Sequence, residues 1–171
     1  MAIDGVSRPV PPHEQVSNGP VQTYHGIADL EAAVGQEIGP TEWFTVDQAR
    51  INGFADNTED HQWIHVDPER AAAGPFGTTV AHGFLTLSLV PYFSSQLRSV
   101  EGARMGINYG LDRVRFPTPV PVGSRLRARS TLISLDKVGE GAVQLVNRVT
   151  VEVEGSAKPA CVADAVSRIY F

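Results

Sequence analysis

The hydrophobic and polar positions of the chain follow two different periods. Residues 80–97 contain no Asp, Glu, Lys or Arg, and apolar side chains cover nearly the whole circumference of the helix predicted there. We expect a helix that is apolar on all sides to lie buried inside the fold. Pro91 should kink this helix or divide it into two pieces.

After Gly102 the period changes to two, which is typical of strands. The alternation predicts strands at residues 105–109, 111–116, 125–135, 142–154 and 159–170. Short turns with Gly or Pro lie between them at residues 117–119, 139–141 and 155–156, which indicates antiparallel neighbours. One long buried helix followed by long antiparallel strands predicts an α+β fold in which the sheet wraps around the helix.

The first half of the chain predicts shorter elements. Thr45 and Gln48 have the spacing of a capping box, which indicates a helix over residues 47–56. Asp67 and Pro68 are typical of an N-cap and a first helical position, and Gly74 ends that helix. The remaining predictions are a helix at residues 27–34, a strand at 41–46 and a loop at 57–64.

Length and composition set the number of domains and the compartment. The 171 residues suit one domain. Residues 1–22 contain several prolines and few apolar side chains, so we expect a flexible arm there and a single domain at 23–171. The only cysteine, Cys161, excludes an internal disulfide, and we expect a cytoplasmic protein.

The charge balance excludes two classes of partner. The net charge is −5 and the chain contains no run of basic residues. These features argue against nucleic acid and against an electrostatic membrane partner.

The candidate chemistry lies in residues 54–90. Asp60 and His65 precede the Asp67 helix in the predicted loop. A carboxylate and an imidazole that act on one water molecule can divide the roles of general base and general acid. The alternative is structural, with Asp60 capping a turn and His65 binding a buried backbone group.

A second motif, Ala81-His82-Gly83, opens the predicted buried helix. A glycine there lets a ligand approach the backbone, and the free amides of a first helical turn can hold an oxyanion. The alternative is that Gly83 only permits close packing. His61 and His65 could also be metal ligands, but in a loop their spacing does not place both rings on one face, so we expect no metal.

Together these motifs resemble a known family. The segment Asp60-His61-Gln62-Trp63-Ile64-His65-Val66-Asp67, followed by Ala81-His82-Gly83, is similar to the MaoC-like (R)-specific enoyl-CoA hydratases, and looks closest to their NodN-like actinobacterial branch. The hydratase motif of that family reads roughly S-G-D-x-N-P-I-H-x-D. This chain departs from it with Glu59 for Gly, Gln62 for Asn and Trp63 for Pro.

The resemblance implies a hot-dog fold, a homodimer and a thioester of coenzyme A or an acyl carrier protein as substrate, with no cofactor. It implies reversible syn addition of water to a trans-2-enoyl thioester, which gives an (R)-3-hydroxyacyl thioester. It assigns activation of water to Asp60 and His65, and it assigns binding of the thioester oxygen to the Gly83 amide. It further implies that Gln62, His82 and Asn108 bind substrate.

Two other functions share the expected fold. A hot-dog acyl-CoA thioesterase needs a carboxylate on or near the central helix, and residues 80–97 contain none. A non-catalytic subunit that only binds acyl thioesters is the second alternative, and the replacement of the family Asn by Gln62 leaves room for it.

Overall fold

The computed structural model describes residues 21–171 as a mixed structure of short helices and long strands. None of the helices it describes is long and apolar enough to cross a membrane. The elements in chain order are β1 (Gln22–Tyr24), α1 (Ile27–Ala32), β2 (Glu37–Ile38), β3 (Phe44–Thr45), α2 (Gln48–Thr58), α3 (Trp63–Val66), α4 (Pro68–Ala72), α5 (Gly83–Ser88), α6 (Val90–Leu97), β4 (Arg98–Val100), β5 (Met105–Arg115), β6 (Arg125–Lys137), β7 (Ala142–Val153) and β8 (Cys161–Tyr170).

The main sheet is antiparallel and has the order β2-β6-β7-β8-β5, with β3 also paired to β6. The predicted long strands β6, β7 and β8 are confirmed, and the turns after β6 and β7 join neighbours. The two strands predicted at 105–109 and 111–116 form the single strand β5. The prediction for the turn at 117–119 was wrong, because β5 pairs with β8 at the far side of the sheet. A short parallel pair, β1 and β4, lies apart from this sheet.

The predicted central helix is present as two pieces. α5 and α6 meet at Leu89, and Pro91 lies in the first turn of α6, so the predicted break is confirmed. The prediction that this helix is buried on all sides was wrong, since Phe84 is 69% exposed and Tyr92 is 40% exposed. The reason is that a single curved sheet covers only one side of the helix pair.

The core lies between that helix pair and the inner face of the sheet. Phe93 of α6 is fully buried and packs with the inward residues of β6 and β7. The predicted alternation is observed, with Leu126 and Ala128 fully buried. The core also contains Cys161, and burial raises the pKa of its thiol to about 11. A second apolar cluster includes Leu30 and Leu145.

The segment before α5 differs from the prediction in two ways. The N-cap of α2 is Asp47, whose carboxylate accepts the Arg50 amide at 2.8 Å, so the predicted capping box with Thr45 was wrong. The predicted loop at 57–64 is shorter, because α2 continues to Thr58 and α3 begins at Trp63. The Asp67 cap and Pro68 were predicted correctly.

Most of the predicted N-terminal arm lies outside the described residues. Gln22, the last residue of that predicted arm, begins β1 and aligns with Arg98 of β4. Gln22 thus belongs to a strand, and the flexible arm stays a prediction for residues 1–20.

Candidate active site

Three hydrogen bonds hold His65 in the short helix α3. Its backbone amide donates to the Gln62 carbonyl at 2.9 Å, and its own carbonyl accepts from Gln48 Nε2 at 2.8 Å. Its ring Nδ1 lies 2.6 Å from the Val80 carbonyl oxygen. A carbonyl oxygen only accepts, so Nδ1 carries the proton and Nε2 presents a free lone pair.

The surroundings of His65 favour the neutral imidazole. The residue is only 7% exposed. Burial, the largest effect, lowers the pKa of His65, and His82 nearby lowers it further, while the bond to Val80 and the charge of Asp60 act in the opposite direction. A neutral ring with a free nitrogen is the form that a general base requires.

His82 packs directly on this ring. The two imidazoles stack with centroids 3.7 Å apart and an interplanar angle of 26°. The centroid of the Phe54 ring lies 5.0 Å from that of His82. His82 Nε2 donates to the backbone carbonyl of Asp60 at 2.9 Å. His82 is 2% exposed, and within residues 21–171 its Nδ1 has no hydrogen-bond partner. His82 thus connects the aspartate segment to the start of α5.

The structure brings Asp60 and His65 together, and it adds His82. One carboxylate oxygen of Asp60 and one ring nitrogen of each histidine lie within 4.8 Å of one another. Asp60 is exposed and the two histidines are buried behind it. This arrangement can hold one water molecule between a carboxylate and a neutral imidazole, and it could also hold a metal ion through the same three atoms.

Asp60 lines an open groove of about 490 Å³ beside α5. The other residues of this Asp60 groove are Phe54, Thr58, Phe84, Leu87 and Ser88. A second groove of about 230 Å³ shares Leu87 and Ser88 with it. The predicted substrate-binding residue Asn108 lines this second groove, so an apolar path leads from the Asp60 groove towards β5.

Gly83 is the first residue of α5. A Cβ atom at this position would lie 3.0 Å from the Phe116 ring, which is closer than ordinary packing allows. Close packing therefore accounts for the glycine. The position also leaves its amide in the first helical turn, next to the exposed Phe84 of the Asp60 groove.

The amide that supports His65 comes from a residue that the sequence analysis missed. Gln62 is exposed at the N-cap of α3, and its side chain makes no hydrogen bond to other residues between 21 and 171. Gln48 of α2 instead donates to the His65 carbonyl, and its Oε1 accepts from the Thr79 hydroxyl at 2.5 Å. The position of Gln48 at the start of a helix suggested a cap, and no local pattern indicated a contact with His65.

His61 does not join the site. Its Nε2 pairs with Asp56 at 2.9 Å, and the His61 side chain is 47% exposed. The alternative in which His61 and His65 bind one metal ion is therefore wrong. The bond to Asp56 raises the pKa of His61.

The sequence is similar to proteins of a known family. Residues 29–154 match the family model of the MaoC-like domain. The chain is 58% identical over 148 residues to 3-hydroxyacyl-thioester dehydratase Z of Mycobacterium tuberculosis, covering 86% of this chain and 98% of the relative. It is 49% identical over 147 residues to nodulation protein N of Rhizobium leguminosarum, covering 85% and 91%.

Among solved structures, the (R)-hydratase from A. caviae involved in PHA biosynthesis superimposes with a TM-score of 0.61 and 26% identity, covering 78% of this chain and 94% of the hydratase. The sheet wrapped around a central helix is thus the hot-dog fold, as the resemblance implied. The match over most of the chain and the high identity to full-length relatives place this protein in the MaoC-like domain family.

Proposed function

We propose that this protein is an (R)-specific enoyl-thioester hydratase, which also catalyses the reverse dehydration of 3-hydroxyacyl thioesters. The single observation that carries the proposal is the convergence of Asp60 and His65 on one point beside the start of α5. The dehydratase name of a 58% identical relative supports the same reaction.

In the hydration direction, Asp60 and the free Nε2 of His65 hold one water molecule. The pair takes a proton from this water as its oxygen bonds to C3 of the enoyl group. The electrons of the double bond move towards the thioester carbonyl, and a proton from the pair is delivered to C2 on the same side. The product is the 3-hydroxyacyl thioester, and no atom is lost.

The negative charge that develops on the thioester oxygen needs a donor. The Gly83 amide in the first turn of α5 serves this purpose, because it is oriented before the reaction and lies beside the Asp60 groove. His82 keeps Asp60 in position through its bond to the Asp60 carbonyl. We assign substrate contacts to Asn108, which lines the second groove, and to Gln62, which is exposed two residues after Asp60.

One assay separates this proposal from the alternatives. Crotonyl-CoA is added, and the absorbance of the conjugated thioester and the release of free thiol are followed together. We expect the absorbance to fall without thiol release. Thiol release would establish a thioesterase, and binding of crotonyl-CoA without either change would establish a non-catalytic subunit.

We also propose a homodimer that pairs through β5. This strand has β8 on one side, and no strand between residues 21 and 171 covers its other edge. Such an edge invites pairing with a second chain, and large apolar side chains are exposed along it: Met105, Ile107, Tyr109 and Leu111. Sedimentation should give the mass of a dimer, and a monodisperse monomer at micromolar concentration would contradict this assembly.

A further inference from the structure

A row of polar side chains crosses the inner face of the sheet. Asn108 of β5 lies directly opposite Ser167 of β8, and Ser167 lies opposite Leu145 of β7. Residues directly opposite in an antiparallel pair, and residues two apart in one strand, share a face. Asn147 is two residues beyond Leu145, so it shares this face and is diagonal to Ser167. Asn147 is also buried, in an otherwise apolar region.

Arg98 contacts this row from the C-terminal end of α6. It directly follows the last residue of α6, and its guanidinium donates to Asn147 Oδ1. Among residues 21–171 no carboxylate lies within ion-pair distance of Arg98. Its titratable neighbour is the phenol of Tyr24, and burial raises the pKa of that phenol, which keeps it neutral near pH 7. A half-buried arginine without an acid is unusual, because a desolvated charge is costly unless it is paired.

The polar atoms left over in this cluster are hydrogen-bond donors. Asn147 Oδ1 already accepts from Arg98, so the amide Nδ2 remains, and it is buried without a partner among the described residues. The Ser167 hydroxyl is likewise buried without a partner in that part of the chain. Buried donors normally find acceptors. Two groups that can donate, one of them the amide that is bonded to the Arg98 guanidinium, are suited to an anion.

The path from the Asp60 groove leads towards this cluster. The groove that shares Leu87 and Ser88 with the Asp60 groove extends past the start of α6 to Asn108 of β5 and Ala165 of β8. Asn108 pairs with Ser167, and Ala165 pairs with Asn147. The groove thus borders the strand partners of Ser167 and Asn147, and on the helix side it is lined by Val90 and Pro91 at the start of α6.

We propose that Arg98, Asn147 and Ser167 bind a carboxylate at the far end of the acyl chain. The preferred substrates are then enoyl thioesters of dicarboxylic acids, in which one carboxyl group forms the thioester and the other stays free. The proposal rests on the proposed function, because it assumes that the thioester lies beside Asp60 and Gly83.

Matched pairs of enoyl-CoA substrates test this specificity. Each pair has one chain length, and its members end in a methyl group or in a carboxylate. For the wild-type protein we expect kcat/KM to favour the carboxylate at one chain length by roughly 10- to 100-fold, the range for a buried hydrogen-bonded charge. Arg98→Met should abolish this preference, and Ser167→Ala should weaken it. Preference for the methyl end at every length would overturn the proposal.

A matched variant controls for lost charge. Arg148 is the neighbour of Asn147 in β7, but it is exposed and pairs with Asp164 at 2.7 Å. Arg148→Met should therefore keep the carboxylate preference. If Arg98→Met does not fold, Ser167→Ala and the wild-type series still decide the matter. Equal loss of preference in Arg148→Met and Arg98→Met would show a general charge effect and contradict the assignment.

The same proteins separate this proposal from the proposed function. Turnover of crotonyl-CoA, which ends in a methyl group, tests hydration alone and should be unchanged in the control variant Arg148→Met. Calorimetric binding of saturated acyl-CoA pairs tests the distal site without any reaction. Hydration of crotonyl-CoA without selectivity for a carboxylate would contradict only the distal site. Selective binding of carboxylate-ended acyl-CoA without hydration would contradict only the catalytic proposal.

Discussion

Two histidines four residues apart occupy opposite environments in this protein. His61 faces outward and pairs with Asp56, and this bond raises its pKa. His65 is turned inward against Val80 and His82, and burial lowers its pKa. Near neutral pH the outward ring is therefore the more readily charged of the two, and the inward ring is the more readily available as a base.

The difference lies in the backbone before and between them. α2 ends at Thr58, and Glu59 adopts a left-handed conformation with φ 59°. The next helix begins at Trp63, so that His65 falls on its buried side. Local chain geometry therefore decides which histidine lies close to the Asp60 carboxylate.

The largest effect should come from the inward pair. Asp60→Asn and His65→Gln should each reduce turnover by roughly 10²–10⁴-fold, because a general acid or base is lost. The double variant should be little slower than either single variant, since groups that act as a unit are strongly non-additive. Initial rates with crotonyl-CoA measure both effects.

The outward histidine supplies the control for this experiment. His61→Gln should leave turnover near the wild-type value, since its exposed ring pairs with Asp56 and does not line the Asp60 groove. Near-normal hydration by His65→Gln would end the catalytic assignment. Stoichiometric zinc in the wild-type protein that disappears in His65→Gln would establish Asp60, His65 and His82 as a metal site instead.

Gln48 is expected to stabilise the inward position of His65. Gln48→Ala leaves the Thr79 hydroxyl and the His65 carbonyl without their partner. Unsatisfied buried groups of this kind cost about 1–3 kcal/mol, so the free energy of unfolding in urea should fall by that amount. Gln62→Ala, at an exposed position, is the comparison and should change it by less than about 0.5 kcal/mol. Similar losses in both variants would remove the special role of Gln48.

The two histidines should make the free energy of unfolding depend on pH with opposite signs. For His65 the pKa is lower in the folded state, so its favourable contribution is present above about pH 6.5 and is lost as pH falls below that value. For His61 the folded pKa is higher, so its contribution is present below about pH 6.5 and is lost as pH rises through the folded pKa. Thermal midpoints between pH 5 and 8 measure both.

Variants separate the two contributions. His65→Gln should flatten the acid side of the stability profile, and His61→Asn should flatten the neutral side. Activity should follow His65 alone, with kcat/KM falling on the acid side as its ring becomes protonated. An unchanged acid limb in His65→Gln would contradict the assignment of this titration to His65.

Glu59→Gly should have the smallest effect. A residue other than glycine in the left-handed conformation costs about 1–2 kcal/mol, and glycine removes this cost. Glycine also makes the unfolded chain more flexible, which lowers the stability by about 0.5–1 kcal/mol. We therefore expect the free energy of unfolding to rise by no more than about 1 kcal/mol, with turnover unchanged. Urea titration of Glu59→Gly beside Glu59→Ala measures it, and destabilisation by the glycine variant would mean that the Glu59 side chain has a contact of its own.

Local pattern was sufficient for much of this molecule. The change from helical period to strand alternation after Gly102 placed the long strands, and Pro91 divided the central helix as expected. The Asp67 cap and the proximity of Asp60 to His65 also followed from short-range sequence. In each case the physical cause acts over a few residues: side-chain alternation in a strand, the missing amide of proline, or a capping carboxylate.

Only the tertiary structure placed β5 beside β8, because strand pairing depends on how the whole sheet closes and not on the turn that follows a strand. The same closure leaves one side of α5 and α6 uncovered, which exposes Phe84 despite its apolar neighbours. It also brings Gln48 to His65, and Arg98 to Asn147. These contacts join residues that are 17 and 49 positions apart in the chain, and no periodicity in the sequence encodes a distance of that kind.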